Sequence, residues 1–506
     1  MQPDSGTQKK IGLFIKDLRE QRGLTQAVFA KELGTSQSAV ARMEAGGQNF
    51  STQELLKISK ILHRKILSIS ESLDFEIKGG KKLSGSITTN FSKNGSVVLL
   101  CAALLNKNKT TLHGISRIEE VNRLIEVMES LGVNVQWIGK NSLEIKPPKK
   151  ISFNNLDRAA ASRIRSSLML IGPLIHQVAD FKLPHAGGCK MGNRTIAAHR
   201  YGLEKMGVEI LTNDKNYHVR ANKLKAAEIV MYEAGDTAAN NLLMAAALIP
   251  GKTVIRFAPP NYQVQELCFF LKKMGVVIEG VGTTDLIVHG IKKFDAPLEY
   301  HNSEDPIEAM MFISVAATTN SKLLIKRAPI DFLSVELLKL EKMGLQFSLS
   351  KKYHSYNGHT NLVDITILPS TLTALSDKIH ALPYPGINSD NLPFFVPIAT
   401  QAEGKTLIHD WMWENRAIYF TELNRLGADV TLADPHRVFV VGKTKLKGGQ
   451  VVCPPALRPA MIILIAMLAA EGTSILRNVY SINRGYEEIA ERLNSIGADI
   501  KVLEGV

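Results

Sequence analysis

The sequence predicts an α/β (α+β) protein of two similar lobes, assembled from six repeated α/β units and preceded by a small all-α segment. Three observations carry that expectation: a short block of the Leu-Gly-Val type recurs six times, each copy sits between a helical and a strand pattern, and residues up to about 70 lack the repeat. The copies are Leu131-Gly132-Val133, Met206-Gly207-Val208, Met274-Gly275-Val276, Met343-Gly344-Leu345, Leu426-Gly427-Ala428 and Ile496-Gly497-Ala498, about 70 to 80 residues apart. In each, the glycine closes an amphipathic helix as its C-cap, and an alternating strand follows, as in Val208 and Ile210 or Val430 and Leu432.

An apolar helix, a turn and a strand precede the copies, such as Leu100 to Leu104 before Thr110 to Leu112, and Leu468 to Gly472 before Ser474 to Leu476. Three units in each lobe would bury helices behind sheets and leave a ligand cleft between the lobes. A six-unit α/β solenoid is the alternative arrangement of the same units. The expected division is residues 1–70, a lobe of 71–92 with 304–506, and a second lobe of 93–303.

The N-terminal segment, Ile11 to Ile66, reads as short helices in which Ile11, Phe14, Ile15 and Leu18 share one face and Phe29, Ala30 and Leu33 another. Gly23 ends the first helix, Thr25 caps the second, Gly34-Thr35 turns the chain into Ser36 to Glu44, and Gly46-Gly47 stops it. Leu24-Thr25-Gln26, Leu33-Gly34 and Arg42-Met43-Glu44-Ala45-Gly46 resemble the helix-turn-helix of the phage-repressor and Cro group. Val40 and Met43 would anchor the recognition helix, leaving Gln26, Ser36, Gln37 and Ser38 for phosphates and base edges; Arg42 would either clamp a phosphate or pair with Glu44. A plain helical bundle for protein contacts is the other reading.

At 506 residues, 45% apolar and 22% charged, the chain has the composition of a multi-domain globular protein. Its longest apolar run, Met461 to Ala470, is too short to span a membrane, and Met1 to Ser5 lack a signal-peptide core, so the expected location is the cytoplasm with no membrane partner. A net charge of +13 points to polyanionic partners, and residues 1–70, with 11 basic and 6 acidic side chains, hold only part of it. The four cysteines form no Cys-x-x-Cys pair, so no metal site and no disulfide framework is expected. Cys101, Cys268 and Cys453 have apolar or proline neighbours and read as small buried hydrophobes; Cys189 stands among three glycines and beside Lys190 and Arg194.

From Phe75 to Val502 several segments fall in the order of one family. Ser92-Lys93-Asn94-Gly95 is similar to a Gly-Ala-Lys-Asn-Ala segment, and Arg163-Ile164-Arg165-Ser166-Ser167 with Gly172-Pro173-Leu174 to an Arg-Ala-Ser helix. Gly187-Gly188-Cys189 through Arg194 and His199 is similar to a Gly-Gly-Cys loop. Asp390, Glu414-Asn415-Arg416, Leu457-Arg458 and Arg484-Gly485-Tyr486-Glu487 complete the series. Together they resemble the enolpyruvyl transferases of the UDP-N-acetylglucosamine 1-carboxyvinyltransferase type, with their inside-out α/β barrel fold.

That resemblance implies transfer of an enolpyruvyl group from phosphoenolpyruvate to a nucleotide-sugar hydroxyl for peptidoglycan precursor synthesis, without cofactor or metal. Phosphoenolpyruvate carries a phosphate and a carboxylate, so cations converging from both lobes are needed. The resemblance assigns Lys93, Arg194 and Arg484 to the phosphate, Arg416 and Arg458 to the carboxylate side, and Arg165 to the intermediate. Cys189 becomes the acid for the methylene carbon, on a loop hinged at Gly187, Gly188 and Gly192, and Asp390 orients or deprotonates the attacking hydroxyl. Asn94, Thr195, Ile196 and Met412 are the remaining implied substrate contacts. His199 reads equally as a contact or a packing residue, and Pro383 to Gly386 as a loop delivering Asp390.

The departures lie on the uridine-diphosphate side. The family's Arg-Pro-Val-Asp-Leu-His is here Arg194-Thr195-Ile196-Ala197-Ala198-His199, a substrate-loop lysine is replaced by Glu233, and an aspartate near the Leu-Arg pair by Ala456. Glu233 would repel a diphosphate that it faced. Two rivals therefore stand beside the main reading: a transcription regulator whose transferase-like lobes sense a sugar nucleotide or phosphoenolpyruvate, and a shikimate-phosphate enolpyruvyl transferase, against which the Gly-Gly-Cys loop argues. A repressor-type head implies a homodimer on paired half-sites.

Overall fold

Gly132, Gly207, Gly275, Gly344, Gly427 and Gly497 all take positive φ, at 91°, 91°, 88°, 96°, 81° and 99°. That left-handed turn lets each repeat leave a helix and enter a strand within a few residues. The strands that follow are Asn134–Trp137, Val208–Thr212, Val277–Glu279, Phe347–Leu349, Asp429–Asp434 and Ile500–Leu503, and each belongs to a different one of six sheets. The helix before the fifth glycine is wound as a 3₁₀ helix, Ala417–Leu426. The computed structural model describes residues 5–21, 24–47, 50, 52–62, 73–187 and 195–503.

The chain divides into two units, 1–72 with 504–506, and 73–503. Within the larger unit the apolar side chains form two cores. One gathers Val97 through Tyr300; the other gathers Phe75 to Ile87, Tyr262 and Ile307 through Ile500. A solenoid would have given one continuous core, so that arrangement is excluded. Each core is organised by helices buried on every side, among them Asp236–Ala247 in the first and Pro306–Thr318 and Leu457–Ala469 in the second. Sheets cover them; Asp74–Gly79, for example, pairs antiparallel with both Gly472–Arg477 and Ile500–Leu503.

The chain passes from one core to the other between Ile87 and Val97 and returns between Tyr300 and Ile307. The two crossings are tied together. Asn302, fully buried, donates from Nδ2 to the carbonyls of Ser92 and Gly114, each at 2.9 Å. Gly95 is required beside it, because a Cβ there would stand 2.3 Å from Asn302 Oδ1.

The smaller unit has helices Ser5–Gln21, Gln26–Leu33, Gln37–Glu44 and Thr52–Ile61 around Ile15, Leu18, Phe29, Val40, Met43 and Ile58. Phe14 departs from expectation: it is 45% exposed, because Ile11, Ile15 and Leu18 fix the buried stripe and Phe14 falls beyond its edge. Thr25 Oγ1 accepts the Val28 amide at 3.3 Å, and Ser36 is likewise an N-cap, its Oγ accepting the Ala39 amide at 3.2 Å. Glu44 pairs with Arg19, not Arg42: Arg19 Nε and Nη2 donate to its two oxygens at 2.5 and 3.0 Å. Gln26 Nε2 adds a bond to Glu44 at 2.9 Å, whereas Gln37, Ser38 and Arg42 stand exposed. Gly23 lies outside the described residues.

Candidate active site

A cavity of about 230 Å³ lies between the two cores of the larger unit, and its lining carries six cationic side chains against two carboxylates. Lys93, Asn94, Arg163 and Arg165 come from the first core's side; Asp390, Arg416, Arg458 and Arg484 come from the second.

Lys93 opens the helix Lys93–Ala102. Ser92 caps it by accepting the Gly95 amide at 2.9 Å, and Asp305 Oδ2, on the returning crossing, accepts the Lys93 amide at 3.0 Å. The Lys93 ammonium then meets Glu120 Oε2 at 2.6 Å and Asn94 Oδ1 at 3.2 Å. Burial opposes ionisation of Glu120, but Lys93 and Arg484 outweigh it and hold the carboxyl below its usual range. Asn94 Nδ2 donates to the Tyr262 hydroxyl at 2.8 Å.

Across the cavity Asp390 receives Arg458 Nη2 at 3.0 Å and lies 3.9 Å from Arg416 Nη1. Burial raises its pKa, yet the two guanidiniums prevail, so it is a carboxylate at neutral pH. Arg458 also donates to the Tyr486 hydroxyl at 2.6 Å. Arg416 is completely buried and spends most of its fork on structure: Nε and Nη2 hold Asp410 at 2.5 and 2.8 Å, and Nη2 reaches the Ser389 carbonyl at 2.7 Å. Its assignment to substrate carboxylate is accordingly narrowed to Nη1. Asp236 faces this wall from the other core, its carboxyl pushed up to about 6 by burial and by the charge of Asp390, with Asn261 Nδ2 at 3.0 Å opposing the rise.

Three buried guanidinium nitrogens at this cavity, Arg416 Nη1, Arg458 Nε and Arg484 Nε, have no hydrogen-bond partner among the described residues. Buried N–H donors are normally satisfied, and unsatisfied cationic ones at a cavity call for an anionic ligand.

The cavity therefore unites Lys93, Asn94, Arg165, Asp390, Arg416, Arg458 and Arg484. Cys189 and Arg194 lie outside the described residues. Thr195 is exposed; its carbonyl accepts Arg165 Nη2 at 3.2 Å. Ile196 does not line the cavity but packs in the first core at 8% exposure, as its place at the start of an apolar helix face dictates. Met412 is exposed, and it is Trp413 that lines the wall. His199 is a packing residue: it is buried, bonds Asn241 Nδ2 at 2.9 Å through Nδ1, and is kept neutral by a pKa pushed down to about 4 by burial and Arg165. Glu233 is exposed and interacts with Arg165, whose own pKa burial lowers. Ala456 occupies the N-cap of Leu457–Ala469 and gives that helix no side-chain cap. Cys101, Cys268 and Cys453 are buried, their thiols pushed up to about 12 in the last two.

Sequence reasoning did not single out Glu120, Asp305, Tyr262 or Asp410. Glu120, Asp305 and Tyr262 act across the tertiary structure on residues distant in sequence, so no local spacing announces them, whereas Asp410 lies only six positions before Arg416. Glu119-Glu120 begins a helix and looks like ordinary dipole compensation.

The fold and the cation-lined interlobe cavity define a carboxyvinyl-transferase architecture, and residues 77–493 match the family described as EPSP synthase (3-phosphoshikimate 1-carboxyvinyltransferase). The chain belongs to the enolpyruvyl transferase family. Among its relatives is the UDP-N-acetylglucosamine 1-carboxyvinyltransferase of Bradyrhizobium diazoefficiens, 34% identical over 437 residues, 85% of this chain and 98% of that protein. The enzyme of that name from Treponema denticola is 34% identical over 431 residues, 85% of this chain and 99% of that protein. In fold, the chain matches the enolpyruvyl transferase NikO from Streptomyces tendae with a TM-score of 0.75 at 23% identity, covering 86% of this chain and 100% of that one. Residues 15–68 separately match the helix-turn-helix family. No helix among the described residues is long and apolar enough to cross a membrane.

Proposed function

We propose that this protein transfers the enolpyruvyl group of phosphoenolpyruvate to the 3-hydroxyl of UDP-N-acetylglucosamine or a related nucleotide sugar, in cytoplasmic peptidoglycan precursor synthesis, and that its N-terminal unit binds DNA. The observation that carries the enzymatic part is the set of unpaired buried guanidinium donors contributed around one cavity with Lys93 opposite. Relatives bearing that enzyme name, matched over nearly their whole length, favour this acceptor over a shikimate phosphate.

In the first step the acceptor oxygen bonds to C2 of phosphoenolpyruvate while C3 takes a proton from Cys189, giving a tetrahedral phosphorylated ketal; the hydroxyl proton passes toward Asp390. In the second, C3 gives up a proton that departs with the leaving phosphate, the bond between C2 and the bridging phosphate oxygen breaks, and the C2=C3 double bond of the enol ether forms. Lys93, Arg194 and Arg484 hold the phosphate, Arg458 and the free edge of Arg416 the carboxylate, and Arg165 closes on the intermediate. Asn94, Thr195, Ile196 and Met412 are carried in this proposal only as family-implied contacts, and Ile196 and Met412 would have to act through backbone or after a rearrangement. Because Asp390 is already held as a carboxylate by two arginines, its stronger contribution is to orient the hydroxyl as an acceptor.

The test is phosphate release from phosphoenolpyruvate with UDP-N-acetylglucosamine, other nucleotide sugars and shikimate 3-phosphate, with products identified by mass spectrometry. Mass gain of one enolpyruvyl group on a nucleotide sugar is expected; tight binding without phosphate release from any acceptor would replace the enzyme with a sensor. Cys189→Ser should abolish covalent labelling by the epoxide phosphonate fosfomycin, and persistent labelling would remove the thiol from its assigned place.

For the smaller unit, the exposed Ser36, Gln37, Ser38 and Arg42 at and along the third helix support contact with duplex DNA, and Gln26, tied to Glu44, would contact it with its remaining amide atoms. Two copies of the chain on paired half-sites complete this reading. Anisotropy titrations of selected duplexes should show affinity falling steeply with salt, and Gln37→Ala should weaken sequence preference; salt-independent or absent binding would leave the unit as a protein-contact bundle.

A further inference from the structure

Away from the cavity, the strands Thr110–His113 and Leu298–His301 run parallel, with His301 registered on His113. Side chains two apart on a strand share a face, so Glu299 and His301 stand together beside His113. The His113 and His301 rings stack with centroids 4.4 Å apart, His113 Nε2 meets Glu299 Oε1 at 2.9 Å, and one ligand atom from each of the three residues lies within 4.8 Å of the others. From the neighbouring strand, Ser142 Oγ bonds His113 Nδ1 at 2.8 Å.

We infer that His113, Glu299 and His301 form a binding site for a divalent zinc-type cation, distinct from the enolpyruvyl transfer cavity. Two imidazoles and one carboxylate are the ligand set of open zinc sites, in which water takes the fourth tetrahedral position. Ser142 supplies the outer hydrogen bond that fixes the ring of a ligating histidine and turns its Nε2 toward the ion. Coordination at about 2.0–2.1 Å requires the stacked rings to tilt so that their nitrogens approach each other. Both histidines end their strands and are partly exposed, which leaves room for that tilt. Other His–carboxylate contacts, His218 with Asp180 and His289 with Glu279, lack a third ligand among the described residues.

The site has a structural reach. The Asn302 amide donates to the His113 carbonyl at 2.9 Å, and the Asn302 side chain holds the Ser92 carbonyl at the root of the Lys93 helix. A bound ion would staple the two strand ends immediately behind that junction.

The test is calorimetric titration of the full, untagged chain with Zn²⁺ alone, together with Co²⁺ absorption as a report of coordination geometry. One equivalent should bind, with a tetrahedral Co²⁺ spectrum, and Zn²⁺ should raise the melting temperature. His301→Ala should weaken this binding at least tenfold. Ser142→Ala should weaken it roughly 10-fold through the ring it orients. Glu299→Gln, at a side chain 66% exposed, preserves the fold and should also lower affinity. Equal Zn²⁺ affinity in wild type, Glu299→Gln and a folded His301→Ala would overturn the inference, as would a Co²⁺ spectrum unchanged in these variants.

Discussion

The two walls of the interlobe cavity are built differently. On the Asp390 wall the guanidiniums of Arg416 and Arg458 are buried and multiply bonded: Asp410 locks Arg416, Arg416 holds the Ser389 carbonyl, and Arg458 spans Asp390 and Tyr486. On the opposite wall Lys93 is fixed by Glu120, but Arg163 is exposed, Arg165 reaches the carbonyl of an exposed Thr195, and Glu233, which interacts with Arg165, stands in solvent. A wall held by buried hydrogen bonds does not reorganise when charge develops, which suits the invariant reacting group. A loosely held wall accommodates change in the molecule it meets.

The comparison breaks most readily at Asp390. Asp390→Asn should lower kcat by roughly 10² to 10⁴, with phosphoenolpyruvate binding largely kept, in steady-state phosphate-release assays. A loss below tenfold would mean that this wall merely surrounds the chemistry. Next, Arg416→Ala strands the buried Asp410 carboxylate and should cost about 3 to 5 kcal/mol in urea unfolding, a structural penalty before any kinetic one.

Acid should loosen the first core. His199 is buried and His176 half-buried, and both are neutral, each pushed down to about 4 by desolvation, whereas in the unfolded chain they titrate near their ordinary value. The unfolded state therefore binds more protons between those values, so stability falls as pH drops from about 6.5 to 4, by at most about 3 kcal/mol for each histidine. Urea midpoints at pH 7 and pH 5 check this, and His199→Gln should flatten the difference.

On the loose wall the effects are smaller and fall on the acceptor. Arg165→Ala should raise the acceptor KM about tenfold with little change in the phosphoenolpyruvate KM. Glu233→Gln should lower the acceptor KM by roughly two- to threefold, the modest size of an exposed charge. Equal effects on both substrates would erase the distinction between the walls.

Much of this was legible in the sequence because it rests on local rules. The six glycines announce helix-to-strand turns through a conformation that other residues resist, and Thr25, Ser36 and Gly34 mark helix ends by their side chains. The cavity cations Lys93, Arg165, Arg458 and Arg484 were found through their motifs. What was not legible depends on distance in space. Arg19 displaces Arg42 as the partner of Glu44, 25 positions away, and Glu120 neutralises Lys93 across a helix and a strand of intervening chain. Ile196 and Met412 show the converse: a motif identifies a neighbourhood, but which side of the backbone faces the cavity is settled by packing.

The double crossing of the chain also has a bearing on biogenesis. Residues 97–300 hold a complete core and can condense while the ribosome is still at work, but Asp74–Gly79 must wait for Gly472–Arg477 and Ile500–Leu503 to emerge before it has neighbours on either edge. The earliest strand of the larger unit is thus the last to be enclosed, and a nascent chain stalled near its end would carry a finished lobe tethered to an open one.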